Sequence, residues 1–433
     1  MARRVVITGI GCVTPLGSRP DALWDNLVAG RSGVGPLTLF DAGNFPVRIA
    51  AEVRGWDVAQ LGEHADRWRT APRQTQFAIG AARQAVAASG LIESQIDPRR
   101  LGVYLGCGEC FGDFLGFTRL LSQALRDGDL DRARFMREAF RLWRSEEQWE
   151  QEPHLPAAHI AGLFDAQGPN LNCIAACASA TQAIGEAGEI IRRGDADAMI
   201  CGGAHSMIHP FGITGLDRLE ALSRHNDNPP AAVRPFDRTR DGFVVGEGGA
   251  ILVLEELERA RRRGADIWGE LTGYGSAQDA FRITDSHPEG RGAASCMAQA
   301  LASARMNPEQ VDYINAHGTG TVVNDKVETA AIKRVFGAQA RRVPISSTKS
   351  MIGHLTTAGG AVELAICLLV LRHGAVPPTI NYNERDPECD LDYVPNQARQ
   401  VRCRHILSNS FGFGGQNAAL VVSHAGAANR FAA

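Results

Sequence analysis

Short β-branched runs alternate with small-residue, helix-periodic stretches along most of the chain. The apolar runs are "RVVITGI" (4–10), "LGVYLG" (101–106), "AMICGGA" (198–204), "AILVLEE" (250–256), "DYINAHG" (312–318), "RHILSNS" (404–410) and "AALVVSH" (418–424). Runs of this length read as strands, and their alternation with helical segments predicts α/β layering. Most are near-continuously apolar, which fits a sheet covered by helices on both faces.

The order of elements recurs. "GLIESQIDPRRLGVYLGCGE" (90–109) runs from a helix end through a polar loop and a strand to a glycine turn, as does "ARMNPEQVDYINAHGTGT" (304–321). "NCIAACASATQAIGEAGEIIRRGDADAMICGG" (172–203) stands in the same relation to "ISSTKSMIGHLTTAGGAVELAICLLVLRHGAVPP" (345–378). Duplication of one α/β unit is the expectation, with its junction near "ARRRGADIWGEL" (260–271), an N-terminal half over 1–262 and a C-terminal half over 263–433. One segment, about 119–156, breaks the pattern: apolar residues at helical spacing lie among dense charges and two Trp. This predicts a helical insertion, either a surface cover over part of the core or a lid or docking element.

Composition narrows the function classes. A chain of 433 residues with 44% hydrophobic and 21% charged content can bury a sizeable core. Its net charge of -3 supplies no basic field for nucleic acid. No apolar run reaches the roughly 20 residues of a membrane span, and "MARRVVITGIGCVTP" passes directly into a strand pattern, so the expectation is a cytoplasmic protein without a membrane span. The ten cysteines lack framework spacing and read as buried thiols. Cys107 and Cys110 form a lone C-x-x-C pair with no second pair or nearby His at zinc spacing. "GIGCVTPLG" carries Pro15 where a dinucleotide-binding helix would open. Neither a metal nor a nucleotide cofactor is implied.

Candidate chemistry starts at "LNCIAACASATQAIGEA" (171–187). "LNCIAA" reads as a strand and "CASATQAIGEAGEIIRRG" as a helix, which puts Cys177 at the turn between them and Cys173 in the strand's packing. A thiol facing a helix N-terminus and its unpaired N–H groups is expected to have a lowered pKa. "NAHGTGT" places His317 at a strand end, and "KSMIGHLTTAGGAVE" places His354 in a similar small-residue setting. A thiolate and two imidazoles suit acyl transfer, the thiolate attacking a thioester and the imidazoles handling charge on oxygen. Lys is scarce in this Arg-rich chain, so Lys349 beside His354 is an unusual choice.

Five motifs in order, "AACAS", "PFDRTRDGFVVGEGGAILVLEE", "NAHGTGTVVND", "STKSMIGHLTTAGGAVE" and "NSFGFGGQNAALVV", resemble the elongating β-ketoacyl-acyl carrier protein synthases over nearly all of residues 3–425. The resemblance implies the α/β thiolase fold, two pseudo-duplicated halves in α-β-α-β-α layers. It implies Cys177 as the nucleophile that takes an acyl chain from a carrier protein's phosphopantetheine, with His317 and His354 flanking the malonyl unit. It makes Lys349 and Glu363 supports of the histidines, or else a structural ion pair, and puts an oxyanion hole at the backbone N–H groups of Cys177 and Phe413. Phe413 matches a gating residue, and Thr319 and Thr321 match positions that bind the pantetheine amides. No cofactor belongs to the chain itself; the phosphopantetheine arrives on the acyl carrier protein. A homodimer, or a heterodimer with a chain-length-factor-like subunit, is implied. Chain-length-factor relatives lack the cysteine that stands here. The alternatives are a non-catalytic or partner-dependent subunit of that kind, or a Cys–His acyltransferase or hydrolase.

The match loosens at the acyl pocket. Leu216 stands where many relatives have a bulky aromatic, and "GCGECFGDF" (106–114) brings Glu109 and Phe111 to the expected pocket floor or dimer interface. Gln416 replaces a commoner Thr. With the insertion, these departures point toward a specialised synthase of polyketide or other secondary products rather than the housekeeping fatty-acid enzyme. Arg67, Arg69, Arg73 and Arg218 are either part of a basic patch for an acidic carrier protein or solvated surface arginines.

Overall fold

A computed structural model describes residues 3–62, 65–108, 114–144 and 148–425. Its main sheet holds ten strands among the described residues. In chain order these are β1 (Val5–Val13), β2 (Leu101–Leu105), β3 (Asn170–Asn172), β4 (Ala198–His205), β5 (Gly248–Glu256), β6 (Gly269–Gln278), β7 (Tyr313–Asn315), β8 (Ile345–Ser346), β9 (His405–Gly412) and β10 (Gln416–Ser423). In space the order is β8-β7-β9-β10-β6-β1-β5-β4-β2-β3. Divided where β1 meets β6, each five-strand set runs third, second, fourth, fifth, first. The third, second and fourth strands of each set are parallel, and the fourth, fifth and first are antiparallel.

Five helices complete the layers: α1 (Arg73–Ser89), α2 (Ser179–Arg193), α3 (Arg291–Ala304), α4 (Val322–Phe336) and α5 (Gly359–His373). α2 and α5 lie between the halves, touching strands of both; α1 covers the outer face of one half, α3 that of the other. The strands are apolar throughout because both faces are covered, and successive residues serve different layers. Met199, Cys201, Leu252, Leu254, Leu420 and Val422 face the central core. Ala198, Ile200, Ile251 and Val253 face one outer core, Ala419 and Val421 the other. Each fully buried Leu, Ile or Val contributes roughly 1.5–3 kcal/mol. Paired glycines set the outer layers: a Cβ on Gly9 or Gly11 would overlap carbonyl oxygens of α1, and one on Gly273 or Gly275 those of α3. This is the thiolase fold in two pseudo-duplicated halves.

Two strands are shorter than the apolar runs suggest. β7 stops at Asn315 because buried carboxylates draw the next backbone N–H groups out of the ladder: Glu328 takes those of His317 and Gly318, and Asp325 that of Gly320. β3 stops at Asn172, and the Ala175 N–H is taken by Ser179 Oγ instead. Around the 119–156 segment the described residues form the helices Phe114–Ala124 and Arg132–Leu142, joined by a two-residue-strand hairpin and followed by Leu155–Phe164. It exposes large apolar side chains, including Phe140 at 83% and Trp149 at 71%. One stretch, Thr356–His373, is long and apolar enough by composition to cross a membrane, and it is mostly buried inside the protein.

Candidate active site

Cys177 sits one residue before the N-cap of α2, Ala178. Ala176 turns the chain at φ 47°, a conformation that costs an L-residue energy and is kept where the surroundings demand it. The thiol opens into a cavity lined also by Phe243, His317, His354, Phe411 and Phe413. Sγ lies 3.0 Å from His354 Nε2. The backbone N–H groups of Phe413 and of Cys177 itself both reach the sulfur. One ligand atom from each of Cys177, His317 and His354 falls within 4.8 Å of the others.

The hydrogen bonds fix what His354 can do. Thr356 N–H donates to His354 Nδ1 at 3.3 Å, so in the neutral ring the proton is on Nε2, and the ring presents a donor to the sulfur. A metal ion would need the Nε2 lone pair and a proton on Nδ1, against Thr356 N–H. The set suits stabilisation of negative charge better than metal ligation. Burial, helped by the Lys349 cation, holds the pKa of both histidines well below the usual imidazole range, so they stay neutral at pH 7. The His317 and His354 rings meet edge to face, centroids 5.3 Å apart, and His317 is held through its backbone N–H by Glu328 Oε1 at 2.9 Å.

The expected lowering of the Cys177 pKa does not occur. Burial pushes it up to about 11; Lys349 and the Phe413 N–H oppose the rise without overcoming it. Partial charges at a helix N-terminus do not offset removal of the thiolate from water at so buried a position.

Lys349 and Glu363 are both buried and pair with each other. Lys349 belongs to a single turn, Lys349–Ile352, while Glu363 projects from the first turn or so of α5. Thr319 and Thr321 lie on the cavity rim, their hydroxyls 2.9 Å apart, and Thr321 also caps α4. Phe413 starts a short turn in which Gly414 and Gly415 take φ 81° and 79°, values open to glycine and costly for other residues. Leu216 is buried in the helix Pro210–Arg218, in an apolar cluster against which Phe413 packs, and does not line the cavity. Glu109, Phe111 and Cys110 lie outside the described residues. Of the arginine patch, Arg73 is tied to buried Glu247 with Nε 2.8 Å from Oε2, Arg69 pairs with Asp66, and the Arg67 guanidinium lies over the Trp68 ring.

Two participants escaped the sequence: Glu328, which holds the His317 turn, and the Thr356 N–H, which sets the His354 tautomer. Glu328 left one trace, a carboxylate on the inward face of α4 beside Asp325 and Thr329. The N–H left none.

A thiol at a strained strand-to-helix turn, two neutral imidazoles and two backbone donors lie between the halves of a thiolase fold, the architecture of a condensing enzyme. The family models for the N-terminal domain of beta-ketoacyl synthase and for its C-terminal domain match residues 2–260 and 268–383, and the chain belongs to that family of acyltransferases. It is 42% identical to 3-oxoacyl-[acyl-carrier-protein] synthase 2 of Coxiella burnetii, over 97% of this chain and 98% of the relative. It is also 42% identical to the tetracenomycin polyketide synthase ketoacyl synthase alpha subunit of Streptomyces glaucescens, over 97% of each. Among solved structures, the complex of a type II polyketide acyl-carrier protein with its hexaketide-bound ketosynthase, AntDE:AntF, matches with a TM-score of 0.86 and 34% identity, over 98% of this chain and 100% of that one. The ishigamide ketosynthase/chain length factor matches with a TM-score of 0.85 and 35% identity, over 98% and 100%.

Proposed function

We propose that the protein elongates acyl chains by decarboxylative Claisen condensation, with Cys177 as the acyl carrier. The observation that carries this reading is the donor geometry around one sulfur: His354 Nε2–H at 3.0 Å with the Phe413 and Cys177 N–H groups. Cys177 Sγ attacks the thioester carbonyl of an acyl chain on a carrier protein's phosphopantetheine. The C–S bond to pantetheine breaks, and the thiol proton goes to the departing sulfur. The tetrahedral oxyanion sits between the two backbone donors, a kind of interaction whose loss costs about 10²–10³ in rate.

A malonyl thioester then occupies the cavity with its carbonyl oxygen toward His317 and His354. Carbon dioxide leaves, and the electron pair of the broken bond becomes an enolate held by the imidazoles. The enolate carbon attacks the acyl-Cys177 carbonyl, the C–S bond breaks, and the thiolate takes up a proton. Lys349, stabilised by Glu363, keeps both rings neutral and ready to donate. Thr319 and Thr321 hold the pantetheine arm, and Phe413 covers the thiol between its glycines.

The partners are an acyl carrier protein, which brings the phosphopantetheine, and either a second copy of this chain or a chain-length-factor-like subunit. The relatives' names span fatty-acid and polyketide synthases. The division into halves at 262/263 belongs to the same reading and is supported by the twofold strand order and the paired glycines, as does a cytoplasmic setting. Intact-mass spectrometry after incubation with acyl-carrier thioesters is the test. An acyl adduct absent from Cys177→Ala is expected, and an adduct that survives that substitution would overturn the assignment.

A further inference from the structure

The cavity runs outward from the buried thiol to a mouth whose outer lining comes from two segments: Ile283 to Ser286, and the start of α4 with Thr321, Val323 and Asn324. Large apolar side chains stand in solvent there. Ile283 is 80% exposed and Val323 nearly half exposed, and the neighbouring Phe281 and Val322, the latter at 58%, are exposed as well. Hydrogen bonds hold both segments in place: Gly414 N–H donates to the Ile283 carbonyl, and Asn324 N–H to Thr321 Oγ1. Apolar side chains held in water around one opening are unfavourable until something covers them, and such a patch marks an interaction surface.

The mouth carries no basic field. The cations on segments 281–286 and 321–326 are Arg282 and Lys326, and each is paired, with Asp285 and Glu388. Arg69 and Arg73 are occupied by Asp66 and Glu247, and Arg218 lines a separate groove with Phe45 and Ile213.

We propose that Phe281, Ile283, Val322 and Val323 form an apolar seat for the acyl carrier protein, which docks by burying an apolar face there rather than by pairing charges. This rests on Cys177 taking its acyl chain from a carrier protein. The place selects the occupant: the phosphopantetheine arm enters past Ile283 and Val323 to reach the thiol, so the protein that bears the arm covers them. A second copy or a chain-length-factor-like subunit fixed on this surface would close the mouth. Apolar contact is little weakened by salt, whereas exposed ion pairs are screened beyond about 10 Å at 0.1 M.

The test follows Cys177 acylation in the full-length protein by intact mass, with acetyl and hexanoyl chains presented on a type II acyl carrier protein and on free pantetheine. The half-saturating carrier concentration should change less than about twofold from about 0.05 to 0.5 M NaCl. The Ile283→Ser/Val322→Ser double variant should raise it about tenfold or more, with a far smaller rise for the pantetheine thioesters. Both side chains stand in solvent, so the variant should keep the parent's thermal stability, which circular dichroism checks. A carrier affinity that falls about tenfold with salt, an unchanged carrier affinity in the double variant, or equal losses with both donors overturns the inference. Absence of any adduct from either donor refutes the role of Cys177 itself, a distinct result, and removes the inference with it.

Discussion

Lys349 and Glu363 separate a structural ion pair from an electrostatic tool of the site. Both are almost wholly buried and pair with each other, and the Lys349 charge bears on Cys177, His317 and His354. Lys349→Met leaves a buried carboxylate without its cation, and Glu363→Leu a buried ammonium without its anion. Either break should cost about 3–5 kcal/mol. Replacing both members with apolar residues removes both buried charges, so Lys349→Met/Glu363→Leu should return to within about 1 kcal/mol of the parent, a favourable coupling of several kcal/mol in the cycle. Reactivity should behave differently. Without the cation the Cys177 pKa rises further; a rise of one unit means about tenfold less thiolate at a given pH. Urea unfolding reads the first quantity and the iodoacetamide rate at pH 8 the second. The double variant should regain stability and remain slow to alkylate. If it regains both, the pair only holds the fold and the electrostatic argument is wrong.

Other expectations follow from the same geometry. A Cys177 pKa near 11 leaves about one thiol in 10⁴ ionised at pH 7, so the alkylation rate should climb about tenfold per pH unit from 7 to 10. A plateau near pH 8.5 would contradict the burial argument. The same shift has a stability consequence: the folded thiol keeps its proton while the unfolded one loses it, so Cys177 makes stability fall as pH rises from about 9 toward 11, measurable against Cys177→Ala. His354→Gln can present an amide N–H to the oxyanion, whereas His354→Leu cannot. Malonyl decarboxylation should drop about 10²–10³-fold in the Leu variant and less in the Gln variant, and equal losses would mean that His354 does more than donate. A Cβ on Gly412 would lie 2.9 Å from Ala175 O and 3.2 Å from Cys177 N, so Gly412→Ala should displace a backbone donor and slow acylation about tenfold or more. An unchanged acyl-adduct rate would remove that N–H from the oxyanion hole.

What the sequence determined is whatever covalent neighbours and periodicity carry. The strands, the layering and the doubling of the unit were legible because a sheet covered on both faces demands continuous apolar runs and because the order of helix end, polar loop, strand and glycine turn recurs along the chain. His317 just past β7, Cys177 at the turn into α2 and His354 just after a single helical turn stood out because each lies among small residues, where a side chain can reach a cavity. What only the tertiary structure decided depends on distances through space. The Cys177 pKa follows the sum of burial over every layer around it, so the helix end that local sequence revealed lost to desolvation that it could not. The His354 tautomer rests on one backbone N–H from Thr356, and the His317 turn on Glu328, eleven residues away. Arg73 looked like surface charge until Glu247 from the other end of the N-terminal half met it. Hydrogen bonds and desolvation join residues with no fixed spacing along the chain, and folding alone sets them.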